Sequence, residues 1–206
     1  MDDKPRLVVL ISGNGTNLQA ILDACQSGEL PAQVGAVISN KVDAYGLVRA
    51  EKAGVSAVVL EKAKEQDRRE YDGILAERVA SFAPDWIVLA GWMRILTSAF
   101  LDKFPSRVIN LHPALPGTFP GTHAIERAYE AWQKGEIDHT GVMVHLVPDE
   151  GVDVGLLLAI QKIGFASGES FEEFEGRVHA VEHKLLVATL RNIVSDSKFM
   201  ERYEHA

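Results

Sequence analysis

The stretch LVVLISGNGTNLQAILDAC, residues 7–25, reads as a strand, a turn and a helix in that order. Leu7–Ser12 is a short unbroken apolar run. Runs of that kind mark strands covered on both faces, because no position along them has to meet water. Glycines interrupt the run at Gly13 and Gly15. Leu18, Ile21, Leu22 and Cys25 then recur at helical spacing, as one apolar stripe does. A strand covered on both faces needs helices on both sides and parallel neighbours, so this stretch predicts the first unit of a layered α/β sheet.

The same alternation continues outward. Val34–Ser39, Ala57–Leu60, Trp86–Ala90 and Val108–Leu111 are further short strand-like runs. Between and after them, Leu47–Ala53, Tyr71–Phe82 and His123–Lys134 read as helices, with Ile74, Leu75, Val79 and Phe82 expected on one buried face. Thr140–Val147 and Leu156–Ile163 are two longer strand-like runs, close enough in sequence to pair antiparallel at an edge. A long helix over about 170–195 closes the chain, with Phe171, Phe174, Val178, Val181 and Leu185 as its core stripe and Glu182 beside it. The expectation is an α/β, Rossmann-like, mostly parallel twisted sheet flanked by helices, with an antiparallel edge and a long C-terminal helix. Residues 1–206 are expected to form a single domain, since no linker, repeat or low-complexity tract divides them. The polar tail Lys198–Ala206 is expected to fray.

A net charge of −8 argues against a nucleic-acid surface, which needs clustered Lys and Arg. The single cysteine, Cys25, leaves no internal disulfide and no zinc ribbon, and fits a reducing compartment. No apolar run approaches the length that crosses a bilayer, and Met1-Asp2-Asp3-Lys4 does not resemble a signal peptide. The chain is therefore expected to be cytoplasmic, without a membrane or nucleic-acid partner. Nothing in the sequence sets its oligomeric state.

The turn Ser12-Gly13-Asn14-Gly15-Thr16-Asn17 joins a strand to a helix start, where free backbone N–H groups favour an anion. A dinucleotide fingerprint would need a third glycine where Leu18 stands, and an acidic residue where Ser39-Asn40-Lys41 closes the second strand. The Lys-Ser/Thr pair of a triphosphate loop is absent too. Two readings remain: a monophosphate cradle, or a tight turn capped by Thr16 or Asn17.

Asn110 and His112 close the fifth strand, two residues apart and hence on one face, ahead of a loop stiffened by Pro113 and Pro116. In parallel sheets ligands bind beyond the carboxyl ends of the strands. An amide beside a titratable ring suits a developing oxyanion. The acidic loop Pro148-Asp149-Glu150-Gly151-Val152-Asp153 could supply a carboxylate that favours a protonated His112 and moves protons. Asp153, between two valines, is the better enclosed candidate, with Asp149 and Glu150 open to solvent. His139 and His145 share a strand face but lack a third ligand, so both read as structural and no metal is expected. Cys25 reads as a core thiol, and Trp92-Met93 as a pocket wall.

With these pieces in order, the chain resembles the glycinamide ribonucleotide formyltransferases, folate-dependent transformylases of purine synthesis. LVVLISGNGTNLQAI, AVISNKVDAYGLVRA, LAGWMRIL, VINLHPALPG and GVMVHLVPDEGVDVG carry the resemblance, which spans about residues 7–193. It implies that Asn110, His112 and Asp153 are the catalytic trio, the first two stabilising an oxyanion and Asp153 raising the pKa of His112. It implies that Gly15, Thr16 and Asn17 hold the substrate's phosphate, and that His179, Ala180, Val181 and Glu182 touch the glycinamide part. The folate co-substrate, 10-formyltetrahydrofolate, is implied to meet Arg68 at its glutamate tail and Met93, Arg94, Ile95 and Leu96 at its pterin. The segment Pro148, Asp149, Glu150, Gly151, Val152 and Asp153 joins Asn110 on the folate side. The N-terminal half then serves the ribonucleotide phosphate, and the C-terminal half the folate and the catalytic loop.

The chain departs from the family pattern in places. Ala114-Leu115-Pro116-Gly117 stands where Ser-Leu-Leu-Pro is frequent, Met143 where Ser or Thr is common, and the acidic loop is one residue longer, at Gly151. Individual folate contacts in that loop stay open. The rivals are a formyltetrahydrofolate deformylase, expected to carry a regulatory domain ahead of the first strand, and another folate-dependent formyltransferase. A methionyl-tRNA formyltransferase would need a basic tRNA-binding domain.

Overall fold

The computed structural model describes residues 4–196 and residue 199. The tail expected to fray lies outside the described residues, Phe199 excepted. The strands are β1 (Arg6–Ile11), β2 (Gln33–Ser39), β3 (Ser56–Val59), β4 (Trp86–Leu89), β5 (Val108–His112), β6 (His139–Leu146) and β7 (Leu157–Gly164). They form a 7-stranded sheet in the order β3-β2-β1-β4-β5-β6-β7. β1 to β5 run parallel, and β6 and β7 turn back antiparallel at the edge. The mostly parallel sheet with one antiparallel edge is thus the architecture the alternation predicts.

The helices are α1 (Thr16–Ser27), α2 (Tyr45–Lys52), α3 (Arg68–Ala80), α4 (Ser98–Leu101), α5 (Ala124–Gln133) and α6 (Phe171–Ser195). β1 shows why its sequence has no polar alternate. Leu7, Val9 and Ile11 enter a core layer with α1 and α6, while Val8 and Leu10 enter the layer under α3. All five are completely buried, each stabilising the fold by roughly 1.5–3 kcal/mol against exposure.

Several boundaries move for local reasons. α2 begins at Tyr45 rather than Leu47, and so includes Gly46. A Cβ at Gly46 would lie 2.3 Å from Ile11, so the glycine marks a close packing contact here, not a break. α3 starts three residues early because Asp67 accepts from the N–H groups of Arg69 (2.8 Å) and Glu70 (3.1 Å). Its buried face is Tyr71, Asp72, Leu75, Ala76 and Val79; Ile74, expected inside, is exposed, and Phe82 lies beyond the helix end. The short α4 was not foreseen, being a single turn without a repeating stripe.

α6 starts with a reciprocal pair, Ser170 Oγ accepting from Glu173 N–H and Glu173 Oε2 accepting from Ser170 N–H. Its innermost stripe is Phe174, Val178, Glu182, Leu186, Leu190 and Ile193, while Phe171, Val181 and Leu185 pack only partly buried against the core. Glu182 therefore sits on the buried stripe itself, not beside it. Phe165 stacks on Trp132 at 4.8 Å and on Phe174 at 4.6 Å, tying β7 and α5 to α6.

Candidate active site

The strand order reverses between β1 and β4, so the loops leaving those strands part and leave a crevice at their carboxyl ends. Two hydrogen bonds fix its floor. Ser12 N–H donates to Gly91 O at 3.0 Å, and Met93 N–H donates to Ser12 Oγ at 2.9 Å.

On one side of the crevice lies the start of α1. Its N-cap is Gly15, at φ 76°, with no side-chain cap, so Thr16 and Asn17 do not play the capping role. They form the first turn instead. The first intrahelical bond runs from Gln19 N–H to Gly15 O, which leaves the earlier N–H groups without helical partners. Asn17 Oδ1 is buried without a hydrogen bond. Gly15 serves packing as well, since a Cβ there would lie 2.8 Å from Gly46 Cα. Arg49, on α2, clasps the turn through Asn14 O (2.8 Å), Asn14 Oδ1 (2.7 Å) and Gln19 Oε1 (3.1 Å).

On the other side β5 delivers Asn110 and His112 to the face opposite Ile109 and Leu111, which enter the core with α1 and α6. Asp153 reaches back from the acidic loop. Its Oδ1 lies 3.2 Å from Asn110 Nδ2 and 3.3 Å from His112 Nδ1, and its Oδ2 accepts from Gly121 N–H at 2.7 Å. Asn110, His112 and Asp153 are thus brought together. His112 Nε2 faces Phe119 O at 3.1 Å. Arg127, on α5, holds that loop by donating to Phe119 O and Pro120 O at 2.7 and 2.6 Å. Phe119, His123 and Asp153 all have left-handed backbones (φ 46°, 57° and 54°), which the surrounding hydrogen bonds must hold in place.

The charge of His112 differs from expectation. Burial pulls its pKa below the ordinary value, and this outweighs Asp153 and the Phe119 carbonyl, which push it up; His145 and Arg127 add to the lowering. Asp153 favours the imidazolium, and the burial that opposes it is nearly complete, the residue being 4% exposed.

On the folate-implied side, Glu150 is not simply solvated. It accepts from Ser98 N–H at 3.0 Å and lies 3.6 Å from Arg68 and 3.8 Å from Arg69. Asp149 closes a local turn onto Gly151 N–H at 2.7 Å. Pro148 leads into this loop, and Val152 and Val154 are exposed. Trp92 is a core residue, whereas Met93 is 61% exposed and Ile95 also faces outward. Arg94 lies over the Tyr71 ring at 4.9 Å, and Leu96 is buried.

On α6, His179 Nδ1 and Glu182 Oε2 lie 2.5 Å apart. That hydrogen bond raises the pKa of His179 against the effect of burial. Ala180 is exposed, Val181 half-buried. Among the described residues no hydrogen bond or ion pair joins this pair, or Gly15-Thr16-Asn17, directly to the trio.

His145 reads as structural in the sequence, yet its Nε2 lies 3.1 Å from Asn110 Nδ2. His139 is on the same strand face but at its far, exposed end, about 20 Å away at strand rise. Phe119 O and Gly121 N–H act through backbone, which leaves no side-chain signal. Arg49 and Arg127 look like ordinary helix-surface cations in the sequence.

The geometry has counterparts among known proteins. The sequence pattern described as Formyl transferase matches residues 5–190. The chain belongs to the formyl transferase family. The phosphoribosylglycinamide formyltransferase of Schizosaccharomyces pombe is 46% identical over 204 residues, covering 93% of this chain and 98% of that protein. That of Escherichia coli K12 is 42% identical over 179 residues, covering 87% and 82%. The crystal structure of glycinamide ribonucleotide transformylase 1 from Symbiobacterium toebii superposes with a TM-score of 0.86 at 39% identity, covering 93% of this chain and 88% of that one. The resemblance read from the motifs thus holds for the family, and this formyl transferase is an enzyme. Among the described residues no helix is long and apolar enough to cross a membrane.

Proposed function

We propose that this formyl transferase moves the formyl group of 10-formyltetrahydrofolate to the amine of N1-(5-phosphoribosyl)glycinamide, in purine synthesis. The observation that carries the proposal is the convergence of Asn110, His112 and Asp153 at the carboxyl end of β5. Attack of the amine on the formyl carbon gives a tetrahedral intermediate with an oxyanion and a cationic nitrogen. The nitrogen's proton passes to neutral His112, directly or through water, and from there to N10 as the C–N10 bond breaks. A His112 depressed by burial suits the receiving step. The oxyanion then adds to Asp153 in stabilising the imidazolium. The Asn110 N–H now shared with Asp153 at 3.2 Å turns to the oxyanion.

The open N–H groups at Gly15-Thr16-Asn17 support phosphate binding there. The His179–Glu182 pair, with Ala180 and Val181, is assigned to the glycinamide part. Arg68, Met93, Arg94, Ile95, Leu96 and the 148–153 loop are assigned to the folate. The whole chain acts as one domain with these two sides. The half-buried free thiol of Cys25 fits a cytoplasmic setting.

The test is formyl transfer to the ribonucleotide, followed by the absorbance of the released folate, with a control lacking acceptor. Acceptor-dependent release is expected. Equal release without acceptor would make the enzyme a deformylase and overturn the proposal.

A further inference from the structure

His145 is the best-bonded titratable group around the trio without an assigned part. Its side chain is 3% exposed, on β6 directly opposite Asn110 in the antiparallel register. Nδ1 lies 2.9 Å from Leu146 O, a carbonyl that only accepts, so Nδ1 carries the proton. Nε2 faces Asn110 Nδ2 at 3.1 Å, and because that amide end is a donor the ring meets it with a lone pair. Nδ2 also donates to Asp153 Oδ1 at 3.2 Å. Both amide protons thus point at acceptors, which fixes which end of the amide is nitrogen.

We propose that His145 is a positioning residue that locks the Asn110 amide with its N–H face toward the reacting atoms. The idea rests on the reaction proposed above and deepens it. When the oxyanion takes over the proton shared with Asp153, the bond to His145 still holds the amide in place. Without it, the amide can turn over about its last torsion, since terminal sp³–sp² torsions are broad and roughly two-fold. It would then offer Oδ1, an acceptor, to a negative oxygen. Asp153 alone resists that turn least when it matters, because its own bond to Asn110 is the one exchanged during the reaction.

The test compares His145→Leu, which removes the lone pair, with His145→Gln, which can place an oxygen acceptor near the Nε2 position. Loss of one oxyanion donor costs about 10²–10³ in rate. Loss of its orientation alone should cost less, roughly 10–100-fold in kcat, with both KM values nearly unchanged. His145→Gln should recover most of the loss. In an Asn110→Ala background His145→Leu should cost nothing further, because no amide remains to orient. A buried residue with a merely structural part would still lower kcat there, and Gln would not rescue it. Independently of activity, ¹⁵N shifts of the unliganded protein should show His145 protonated at Nδ1 and bare at Nε2. A proton on Nε2, or equal losses in the two Asn110 backgrounds, would overturn the lock while leaving the proposed reaction intact. Absent formyl transfer in the wild type would overturn the reaction, while the ¹⁵N shifts would still decide the hydrogen-bond arrangement. If His145→Leu fails to fold, His145→Gln and the ¹⁵N measurement still decide.

Discussion

Asp153→Asn removes the charge from the trio together with one of the two acceptor oxygens that face Asn110 Nδ2 and Gly121 N–H. Asparagine keeps the size of aspartate and tolerates the left-handed backbone at this position (φ 54°), so the loop can retain its path. It loses the negative charge 3.3 Å from His112 Nδ1. An opposite charge at such range moves a pKa by about 1–3 units, each worth about 1.4 kcal/mol. His112 is already depressed by burial, and Asp153 is its strongest opposing influence. The ring's pKa should therefore fall further, and the imidazolium in the transition state should lose about 1.4–4 kcal/mol. That corresponds to a kcat lower by roughly 10–1000-fold, with both substrates still binding. Stability should respond to pH with a matching sign. A His kept neutral by the fold adds protons more readily when unfolded, so stability is full above its ordinary pKa and falls as pH drops below it. The variant should lose more on that acid side. The assays are kcat and KM at saturating partner substrate, and NMR titration of the His112 ring. An unchanged titration midpoint would refute the charge argument. So would losses that multiply when Asp153→Asn is combined with His112→Ala, since two groups acting as a unit lose their effect together.

Gly15→Val should lower the melting temperature by roughly 2–8 °C, because a left-handed backbone costs a residue with a side chain about 1–2 kcal/mol and the new Cβ meets Gly46. Gly13→Ala, with nothing within 4 Å of its Cβ, should melt like the wild type; a Gly15→Val protein of unchanged stability that only binds ribonucleotide poorly would mean anion approach, not packing, dictates that glycine. Arg68→Ala should weaken folate binding modestly, and more at low salt than at high, because Arg68 is partly exposed and already shares Glu150 with Arg69; complete loss of turnover at saturating folate would give Arg68 another part. Cys25 should react with a maleimide at pH 8 about 100-fold more slowly than an ordinary protein thiol, since burial pushes its pKa from 9.0 to about 11 and thins the thiolate accordingly; a rate like that of a free thiol would show the site opens.

The sheet was legible because its strands are covered on both faces, so each appears as an unbroken apolar run. The helices were less so. Asp67 caps α3 before its first apolar residue, and Gly46 sits inside α2 for a contact with Ile11 that lies far away in sequence. The trio was legible because spacing put Asn110 and His112 on one face and an acidic loop followed. The charge of His112 was not, because burial depends on what packs around the ring, and the carboxylate alone suggests the opposite direction. Glu182 was misplaced by about one helical position because α6 turns its stripe slowly along 25 residues. A buried carboxylate is indistinguishable in sequence from a surface one until its partner, His179, is seen at 2.5 Å. His145 was read as structural because a lone His on an apolar strand usually is; only the cross-strand register reveals Asn110 opposite.

That register also explains how packing fixes the chemistry. Ile109 and Leu111 of β5 and Val142, Val144 and Leu146 of β6 all enter one core layer with α1 and α6. The residues between them, Asn110, His112 and His145, must then face the other way. Antiparallel pairing sets Ile109 against Leu146 and Asn110 against His145. A slip of one residue on either strand would turn its polar side chains into the apolar layer and its apolar ones out of it. Each polar group so stranded costs about 1–3 kcal/mol, on top of the lost burial. The apolar residues thus hold the active groups in register more firmly than the hydrogen bonds among those groups could. The loop carrying Asp153 is anchored separately, by Leu146 N–H donating to Leu156 O at 2.9 Å where β6 and β7 diverge. Under the proposed reaction, substitutions at Ile109, Leu111 or Leu146 that keep the fold but loosen this layer should therefore lower kcat before they touch either KM, because they would blur the aim of the groups proposed to meet the oxyanion.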